Sequence, residues 1–515
     1  MSGDVLVAPI GLTAMLDDLA ARAYGPVQTG RFQTFLANLT GWHLNLTDRN
    51  PCIWIKAPDL ASLSAKALIA ELDEVIKKRR WQNCTILLFV DGSVSELLPY
   101  QTQTMPRLVF FDAGEQERLQ TAVSPQNTAL KLLRQKLDCA TLSPYETTKP
   151  VTGSQFFGRK HAINLVLQQP YTSYLFVGIR RIGKTSLLKE IKRQLDHMDQ
   201  PEKDQMRRVY IDCTVIGSEE EFMRTLTFQL EKSGLTILSS RAQDPQRYQK
   251  RILDHYAAIH GSPITFLLDE FDRLLAHMKP DWPLLTVLKT AVQAKKVRFI
   301  SAGFRRAMEA STNKVSPFYN LMIPVRLGRL SMDDVQEMIL APMSQLGITI
   351  SEPEGVVKRI YQETAGLPNY VQFYCKTLVS QLACNGQDTI NTNTLTHIQD
   401  NINFRNFVLN TFMSNTELLE QAIVYAIIGE GEVTAQKKFD EHAIQGFLKK
   451  RNVSLPFDQI DHACRNLEMA GVFNQINADY AFAVPIFQHM LRQTRDVRFL
   501  FERTREALQT ENILS

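Results

Sequence analysis

The chain has 515 residues, of which 44% are hydrophobic and 22% are charged. These values are typical of folded globular proteins, so they exclude a disordered chain, a fibrous repeat and a small disulfide-stapled domain. The net charge is only +4, which is low for a protein that binds nucleic acid along a continuous basic surface. This value does not exclude a local basic patch that contacts DNA.

The cysteines and the hydropathy pattern indicate the cellular compartment in which the protein is expected to act. No two of the seven cysteines form a C-x-x-C pair, and several lie in apolar surroundings, such as Cys213 in the run VYIDC. Buried, reduced thiols of this kind are typical of the cytoplasm. No run approaches the roughly 20 apolar residues that span a bilayer. We therefore expect a cytoplasmic protein without a membrane partner.

Residues 1–142 have the pattern of an α/β domain. Apolar residues recur at helical spacing over about 61–80, and two continuous apolar runs, 85–91 and 108–113, each end at a carboxylate close to a glycine. Such runs are typical of interior strands of a parallel sheet, and 52–56 is a candidate third strand. We expect a Rossmann-like or receiver-like sheet that acts as a sensor or effector domain.

Three carboxylates in this domain, Asp91, Asp112 and Glu115, lie at or just after strand ends. Carboxylates at this position either line a site or cap the following helix or turn, and the capping interpretation is favoured. The sequence assigns no activity to residues 1–142.

The rest of the chain divides into a linker and three further units. Residues 143–155 contain two prolines, Gly153 and several hydroxyl side chains, which predicts an interdomain linker. Four apolar runs alternate with helical patterns between 156 and 330, and this alternation predicts a parallel sheet covered by helices. The predicted strands of this unit are 174–177, 209–213, 264–268 and 297–302.

The C-terminal part of the chain has a different pattern. Residues 331–404 are mostly helical, after a start signal at Ser331. Residues 405–515 contain three helical patterns and then a hairpin-like pair, 472–475 and 480–483. We therefore expect a second helical unit and a third unit that ends in a small hairpin.

The strongest chemical signal is the run from Gly178 to Thr185, which matches G-x-x-x-x-G-K-[ST]. A predicted strand precedes this run and a predicted helix follows it, as the motif requires. The two glycines let the loop turn its backbone N–H groups towards one point, where they and the helix N-terminus bind phosphate. Lys184 then supplies a cation for the β- and γ-phosphates, and Thr185 offers a hydroxyl to Mg²⁺.

A second signal is the apolar run 264–268, which is followed by Asp269 and Glu270. The strand end places Asp269 beside the phosphate loop, where it holds Mg²⁺ through water, and Glu270 orients or deprotonates the attacking water. An acidic helix N-terminus is the alternative interpretation. Asp272 has no clear chemical role, and we expect it to be solvated or to act as a cap.

A third run, 297–302, also ends near the expected position of a γ-phosphate. A polar or basic residue at this position can sense the state of the nucleotide, and the candidates are Arg305, Arg306 and Ser301. The alternative, which is equally consistent with the sequence, is that the two arginines are ordinary surface residues after a strand. Arg180 and Arg181 lie inside the phosphate loop. The sequence does not decide whether their side chains contact phosphate, a neighbouring subunit or only solvent.

Taken together, these residues resemble the STAND class of AAA+-related ATPases over about residues 155–490. Phe156-Phe157-Gly158-Arg159 is similar to the opening motif that packs near the adenine in that class, although Lys160 stands where an acidic residue is usual. Gly303-Phe304-Arg305 is similar to its sensor segment. Gly366-Leu367-Pro368 is similar to the G-x-P motif of its helical lid, whose proline faces the nucleotide.

The resemblance implies an α/β fold in which a P-loop NTPase sheet carries a helical lid and a C-terminal winged helix. It implies ATP and Mg²⁺ as cofactors, with catalytic roles for Glu270, Lys184 and Arg305 and metal contacts from Thr185 and Asp269. The residues expected to contact the nucleotide are Phe157, Gly158, Arg159, Gly178, Ile179, Arg180, Arg181, Ile182, Gly183, Lys184, Thr185, Ser186 and Pro368.

Within that scheme, residues 156–330 are the ATPase core, 331–404 the lid and 405–515 the winged-helix domain. A winged helix either contacts DNA or packs on the nucleotide domain. Residues 441–515 carry nine basic and nine acidic residues, and the candidate helix at 457–469 has more acidic than basic ones. DNA contact needs cations that neutralise phosphate, so packing is favoured.

We therefore expect an ATP-hydrolysing switch that couples nucleotide state to the N-terminal domain. By resemblance it forms a nucleotide-dependent homo-oligomer and acts in stress or defence signalling, with a protein partner or trigger that the sequence does not name. The alternative is a DNA-handling AAA+ ATPase, similar to origin-recognition proteins or transposition regulators. A scaffold that binds nucleotide without hydrolysing it is less consistent with the intact Lys184, Thr185, Asp269 and Glu270.

Overall fold

The structure is a computed structural model. It describes residues 8–16, 23–39, 42, 44–47, 49–100, 105–198, 208–232, 263–277, 289–314, 316, 318–396, 398, 400–431, 438–494 and 496–510. Within these ranges, no helix combines the length and the apolar character needed to cross a membrane. The helical pattern expected between 233 and 262 lies outside the described residues.

The described strands of the N-terminal unit form one mixed sheet. They are β1 (Ala23–Thr29), β2 (Phe32–Ala37), β3 (Asn50–Ile55), β4 (Thr85–Val90) and β5 (Arg107–Phe111). They lie side by side in chain order. The pairs β1–β2 and β2–β3 are antiparallel, whereas β3–β4 and β4–β5 are parallel.

Helices cover this sheet. They are α1 (Ile10–Met15), α2 (Ala57–Ser62), α3 (Ala65–Arg79), α4 (Ala113–Thr121), α5 (Pro125–Lys136) and α6 (Cys139–Leu142). The helix predicted over about 61–80 is α3, and its buried face consists of Leu68, Leu72, Val75 and Ile76, as the spacing predicts. It begins after Ser64, whose hydroxyl accepts the N–H of Ala67.

The three predicted strands of this unit are confirmed, and they form the parallel half of the sheet. The antiparallel half was not predicted. Strand β1 contains Gly25 and Pro26 and most of its side chains are at least partly exposed, so it lacks a continuous apolar run. The α/β architecture is therefore as expected, but the sheet is parallel only from β3 to β5.

The second sheet is parallel throughout. Its strands are β6 (Tyr174–Val177), β7 (Arg208–Asp212), β8 (Ile264–Asp269), β9 (Val297–Gly303) and β10 (Ile323–Arg326). Their order is β10-β6-β9-β8-β7. All pairs are parallel, so the carboxyl ends of β6, β9 and β8 lie next to one another. The four predicted strands are confirmed, and β10 was missed because its side chains are mostly exposed.

Helices lie on both faces of this sheet. They are α7 (Lys160–Gln168), α8 (Lys184–Met198), α9 (Glu219–Lys232), α10 (Phe271–His277) and α11 (Arg305–Thr312). Strand side chains alternate between two apolar clusters: Phe176 belongs to one, and Leu175 and Val177 belong to the other. This burial on both faces explains why the strands read as continuous apolar runs.

The described residues after β10 are mostly helical. The lid region contains α12 (Met332–Gln345), β11 (Thr349–Ile350), α13 (Pro353–Thr364), α14 (Pro368–Asn385) and β12 (Thr389–Ile390). The C-terminal region contains α15 (Ile402–Asn415), α16 (Leu418–Gly429), α17 (Glu441–Lys449), α18 (Phe457–Met469), β13 (Phe473–Ile476), β14 (Asp479–Phe482), α19 (Pro485–Thr494) and α20 (Val497–Thr510).

Two local predictions for these regions are confirmed. The hydroxyl of Ser331 accepts the N–H of Asp334 and caps α12. The hairpin-like pair forms the antiparallel strands β13 and β14, and Asn477 in their turn has a φ of +62°. The limits of the linker, core, lid and C-terminal units, at 143, 156, 331 and 405, stay predictions.

The buried apolar side chains of these regions are continuous. One cluster contains Leu142 of the N-terminal unit, Phe176 of β6, Tyr374 of the lid and Phe412 of α15. All seven cysteines are free, as expected. Burial raises the pKa of the Cys375 thiol to about 12, so this thiol is protonated at neutral pH.

Candidate functional site

The phosphate loop joins the end of β6 to the first residue of α8. The Lys184 ammonium donates hydrogen bonds to the carbonyl oxygens of Gly178 and Ile179, at 2.8 and 2.9 Å. Burial lowers the pKa of Lys184, and the nearby carboxylates of Glu270 and Asp269 oppose that shift. The lysine is therefore held inside the loop, close to the carboxylates that follow β8.

The two glycines of the loop are required for different reasons. At Gly178 a Cβ atom would lie 2.9 Å from Cγ2 of Ile182 and 3.1 Å from the carbonyl oxygen of Leu327, so crowding excludes a side chain. Gly183 has open space around its Cα but a φ of +96°, which side chains disfavour. The spacing of the motif thus reflects one steric and one conformational constraint.

Asp269 is the last residue of β8 and Glu270 follows it, and the two carboxylates have different surroundings. Asp269 is buried, and its carboxylate accepts the Tyr210 hydroxyl at 2.7 Å and the Glu270 N–H at 3.0 Å. Burial and the adjacent Asp269 raise the pKa of Tyr210, so Tyr210 stays a donor. Glu270 has a φ of +50°, which is rare for a residue with a side chain and is often found at functional sites.

One cavity of about 410 Å³ gathers most of the predicted site residues. Its walls come from the linker, the phosphate loop, the end of β8 and the lid. The predicted residues that line it are Phe157, Arg159, Arg180, Arg181, Ile182, Gly183, Lys184, Thr185, Ser186, Glu270 and Pro368. A volume of this size is in the range of small-molecule sites.

Other predicted residues lie beside this cavity rather than in its wall. Gly178 and Ile179 line a second cavity of about 190 Å³, on the side of β13. Asp269 lies behind Glu270, where Tyr210 covers it. Gly158 has a φ of +71°, and a Cβ there would lie 2.8 Å from Leu330 Cδ2, so this glycine permits a close approach of the chain to the lid.

Arg159 connects the opening motif to the phosphate loop. Its guanidinium donates to the carbonyl oxygens of Ile182 at 3.4 Å and Gly328 at 2.5 Å. Burial lowers the pKa of Arg159 to about 10, so it remains charged at neutral pH. The neighbouring Lys160, which departs from the family pattern, forms an exposed ion pair with Glu337 at 3.7 Å.

The structure gives Arg305 a partner that the sequence did not predict. Its guanidinium forms two hydrogen bonds with the carboxylate of Glu420, at 2.7 and 2.6 Å, and donates to the carbonyl oxygen of Asn415 at 3.0 Å. It does not line the cavity of the phosphate loop. In the described contacts this guanidinium forms an ion pair that joins α11 to α16, and its role as a nucleotide sensor stays a prediction.

Asp272 caps a helix other than its own. Its two carboxylate oxygens accept the N–H groups of Phe304, at 2.5 Å, and Ala307, at 3.2 Å, at the N-terminus of α11. This confirms the capping interpretation. The contact fixes the helix that carries Arg305 relative to the strand end that carries Asp269 and Glu270.

The pair of Arg305 and Glu420 allows a stability test. The Glu420 side chain is only 2% exposed, so Arg305→Met would leave a buried carboxylate without its cation. We expect the free energy of unfolding in urea to fall by about 3–5 kcal/mol. Arg305→Met combined with Glu420→Gln should recover most of that loss, because glutamine keeps the oxygen that caps α16.

Arg306→Met is the matched control, since Arg306 is the exposed neighbour on the same helix. An exposed arginine of this kind contributes little, so its loss should change the unfolding free energy by less than about 1 kcal/mol. Equal losses for the two single variants would contradict the structural role of the ion pair.

Sequence reasoning missed several residues that the tertiary structure brings to the site. Asn369 and Gln372 of α14 and Ser414 of α15 line the main cavity. The side-chain oxygen of Asn415 accepts the N–H of Arg180 at 2.8 Å. Only Asn369 had a local signal, because it follows Pro368 in the G-x-P motif.

Arg180 and Arg181 both line the cavity, and both contact α15, Arg180 through its backbone N–H and Arg181 through its side chain. The Arg181 guanidinium lies 4.8 Å from the ring centroid of Phe407 on α15, which is a cation–π contact. Together with Arg180 and Asn415, this contact holds the phosphate loop against α15.

The carboxylates of the N-terminal unit have structural partners. Asp112 and Glu115 form the capping box of α4, and Glu115 also pairs with Lys136 at 2.8 Å. Asp91 accepts the indole N–H of Trp54 at 2.8 Å. The capping interpretation is therefore confirmed for Asp112 and Glu115.

Within the described part of the chain, no group of three or more His, Cys, Asp or Glu side chains is placed to hold a metal ion.

Comparison with known proteins adds one match in sequence. Residues 168–308 match the family model of an AAA domain. Among curated proteins, none is significantly similar in sequence to this chain. The matched segment begins in α7 and ends in α11, so it contains the phosphate loop, β8 and β9.

Several solved structures are similar in fold. The Walker-type ATPase PABY2304 of Pyrococcus abyssi is similar over 68% of this chain and 99% of its own, with 15% identity and a TM-score of 0.48. The ORC2 protein of Aeropyrum pernix is similar over 68% and 92%, with 14% identity and a TM-score of 0.47. A variant of RuvB from Thermotoga maritima is similar over 65% and 95%, with 15% identity and a TM-score of 0.36.

Because these TM-scores lie below 0.5, the assignment depends on the family match and on the geometry of the chain itself. The matched segment has a parallel sheet, a phosphate loop between a strand and a helix, and carboxylates at the end of β8, which is separated from β6 by β9 alone. The chain therefore contains an AAA+-related P-loop ATPase domain.

Proposed function

We propose that the protein is a STAND-type switch that binds and hydrolyses ATP and thereby controls the position of its N-terminal unit. The observation that carries this proposal is the make-up of the main cavity. Its wall contains Lys149 of the linker, Lys184 of the phosphate loop, Pro368 of the lid and Ser414 of the C-terminal region. A nucleotide in this cavity would therefore contact the core, the lid, the C-terminal region and the linker that leads to the N-terminal unit.

The phosphate chemistry comes from the loop and the strand ends. Backbone N–H groups of the loop and the N-terminus of α8 bind phosphate oxygens, and Lys184 adds a cation. The Thr185 hydroxyl and the Asp269 carboxylate would hold Mg²⁺, and they fit it because Mg²⁺ prefers oxygen ligands and each oxygen of Asp269 accepts only one described hydrogen bond. Mg²⁺ neutralises charge on the β- and γ-phosphates when it is bound.

Hydrolysis needs a base for the attacking water. Glu270 lines the cavity next to Lys184, and Asp269 holds its N–H, so the carboxylate is positioned at the phosphate end of the site. We propose that Glu270 accepts the proton of that water. Arg305 then acts indirectly, because its ion pair with Glu420 joins α11, the helix that follows β9, to α16 of the C-terminal region.

The contacts between regions support coupling in both directions. Asn415 holds the N–H of Arg180 in the phosphate loop. In the linker, the Tyr145 hydroxyl lies 3.3 Å from the carbonyl oxygens of Met338 and Ile339 in the lid helix α12. A shift of the lid would therefore move the linker that leads to the N-terminal unit. We propose that this unit is the effector or sensor, with stress or defence signalling as its setting.

For the C-terminal region we propose a winged helix that packs on the core rather than one that contacts DNA. The Asn474 side chain in β13 accepts a hydrogen bond from Arg329 at 2.6 Å, so the hairpin is bound to the segment after β10. On the candidate recognition helix α18, Arg465 is paired with Asp461. Both contacts favour packing over the alternative of a DNA-handling ATPase.

Amide hydrogen exchange of the full chain tests the proposed switch. We expect a non-hydrolysable ATP analogue with Mg²⁺ to slow exchange relative to ADP in the linker, at 146–151, and at 411–420, because both segments contact the phosphate loop or its cavity. Size-exclusion chromatography of the same samples tests the proposed nucleotide-dependent homo-oligomer. Identical exchange outside the phosphate loop with the two nucleotides would overturn the switch.

A further inference from the structure

Two amide side chains on the first turn of α14 are buried in the wall of the main cavity. Asn369 is 9% exposed and Gln372 is 7% exposed, and both line the cavity that contains Lys184. They are three residues apart on one helix, so their side chains lie on the same face.

Three polar atoms of these amides lack a hydrogen-bond partner in the described part of the chain. Among the residues that the structure describes, neither Nδ2 nor Oδ1 of Asn369 has a partner, and Oε1 of Gln372 has none. Buried polar groups in folded proteins are almost always hydrogen-bonded, because leaving one unpaired is costly. Three such atoms on two residues that line one cavity point to a ligand that satisfies them.

The surroundings of the amides define the shape of that ligand. Apolar side chains from three parts of the chain line the same cavity: Phe156 and Phe157 before α7, Leu330 before α12, and Met338 within α12. A site with apolar walls and a few polar groups at fixed positions suits a flat heteroaromatic ring. The phosphate loop occupies another part of the same cavity, as a nucleotide requires.

The pattern of hydrogen-bond donors and acceptors limits which base these amides can bind. A carboxamide presents a donor and an acceptor side by side, and adenine presents the complementary pair in its N6 amino group and ring nitrogen N7. The unpaired Oε1 of Gln372 offers a further acceptor for the amino group. Guanine and hypoxanthine present two acceptors on that edge, the 6-carbonyl oxygen and N7, so a carboxamide in either orientation would place its own oxygen against an acceptor.

We propose that Asn369 and Gln372 hydrogen-bond to the base edge of the bound nucleotide and select adenine over purines with a 6-oxo group. This inference rests on the proposed nucleotide function and deepens it, because it assigns the residues that determine which nucleotide binds. The phosphate loop contributes affinity that does not depend on the base, and the two amides contribute the selection.

Calorimetric titration of the full chain with ATP and ITP tests the proposal, because these nucleotides differ at the 6-position of the purine. We expect the protein to bind ATP at least about fivefold more tightly than ITP, the smallest discrimination expected of a bidentate amide contact. In the variant that combines Asn369→Leu with Gln372→Met, the affinity for ATP should fall to that for ITP while the affinity for ITP stays within about twofold.

Three further measurements make the test specific. Asn385→Leu changes an exposed asparagine on the same helix, and it should leave both affinities unchanged. The double variant should unfold at the same temperature as the parent protein or a higher one without nucleotide, because it removes unpaired polar atoms. Asn369→Asp, which keeps the size and replaces the donor with an acceptor, should lower the ratio of ATP to ITP affinity.

The outcomes separate this inference from the proposed function. If the unaltered protein binds neither nucleotide, the proposed function fails and the inference fails with it. If it binds ATP and ITP equally, or if the double variant loses affinity for both by the same factor, the amides do not select the base and only this inference is overturned. If the double variant no longer distinguishes ATP from 2′-deoxy-ATP but still distinguishes ATP from ITP, the amides contact the ribose rather than the base. That result would also overturn this inference.

Discussion

Replacement of Lys184 by alanine is expected to abolish ATP binding. The ammonium is almost fully buried in the phosphate loop, where it is bonded only to loop carbonyl oxygens in the described contacts, so it is positioned to meet the β- and γ-phosphates. Hydrogen bonds to charged groups contribute about 1.5–3 kcal/mol each, and the loss of two such bonds weakens binding by at least about 100-fold. Calorimetric titration with ATP measures the change.

The control for this variant is Lys192→Ala. Lys192 lies on the same helix, α8, but its ammonium pairs with Asp196 at 2.6 Å, away from the cavity. Its loss should leave the Kd for ATP unchanged. The unfolding temperature without nucleotide should not fall in Lys184→Ala, because burial already disfavours the charged lysine and lowers its pKa. An unaltered Kd in Lys184→Ala would contradict the phosphate site.

Replacement of Glu270 by glutamine is expected to leave ATP binding intact and to stop hydrolysis. Glutamine has the same shape, so it can keep the unusual backbone conformation at 270 and the hydrogen bond from its N–H to Asp269. It cannot accept a proton from water at neutral pH. Loss of a general base slows a reaction by about 10²–10⁴-fold, so the release of phosphate per minute should fall by that factor.

Binding and turnover have to be measured on the same preparation of this variant. Glu309→Gln is the matched control, since Glu309 is exposed on α11, and it should hydrolyse ATP at the normal rate. Under the proposed switch, Glu270→Gln with ATP stays in the ATP-bound state, and size-exclusion chromatography should show the assembled form. Normal turnover by Glu270→Gln would remove Glu270 from the role of the base.

Local patterns predicted most of the ATPase core. Strands β6, β8 and β9 are buried on both faces, so each is mostly apolar and recognisable without its neighbours, although β9 also buries Arg298 and Ser301. Strand β10 is at the edge of the sheet and is mostly exposed, and β1 is interrupted by Gly25 and Pro26. These two strands are held by pairing with a neighbour rather than by their own apolar pattern, which is why periodicity missed them.

The same distinction applies to the site. The phosphate loop and the two carboxylates after β8 were predicted because each group acts through the backbone conformation of a few adjacent residues. The partner of Arg305 was not predicted, since Glu420 lies 115 positions further along the chain. The role of Asp272 was only partly predicted, because the helix that it caps begins more than 30 residues later.

The amino-acid sequence by itself determined the local chemistry of this protein: a glycine loop that binds phosphate, a lysine and a threonine that follow it, and a strand that ends in two carboxylates. The tertiary structure alone decided which distant groups meet. It buried Asn369 and Gln372 in the cavity wall, where three of their polar atoms have no partner among the described residues, and it paired Arg305 with a carboxylate of α16. The physical reason is that burial and the satisfaction of hydrogen bonds depend on every neighbour in space, whereas a motif depends only on neighbours along the chain.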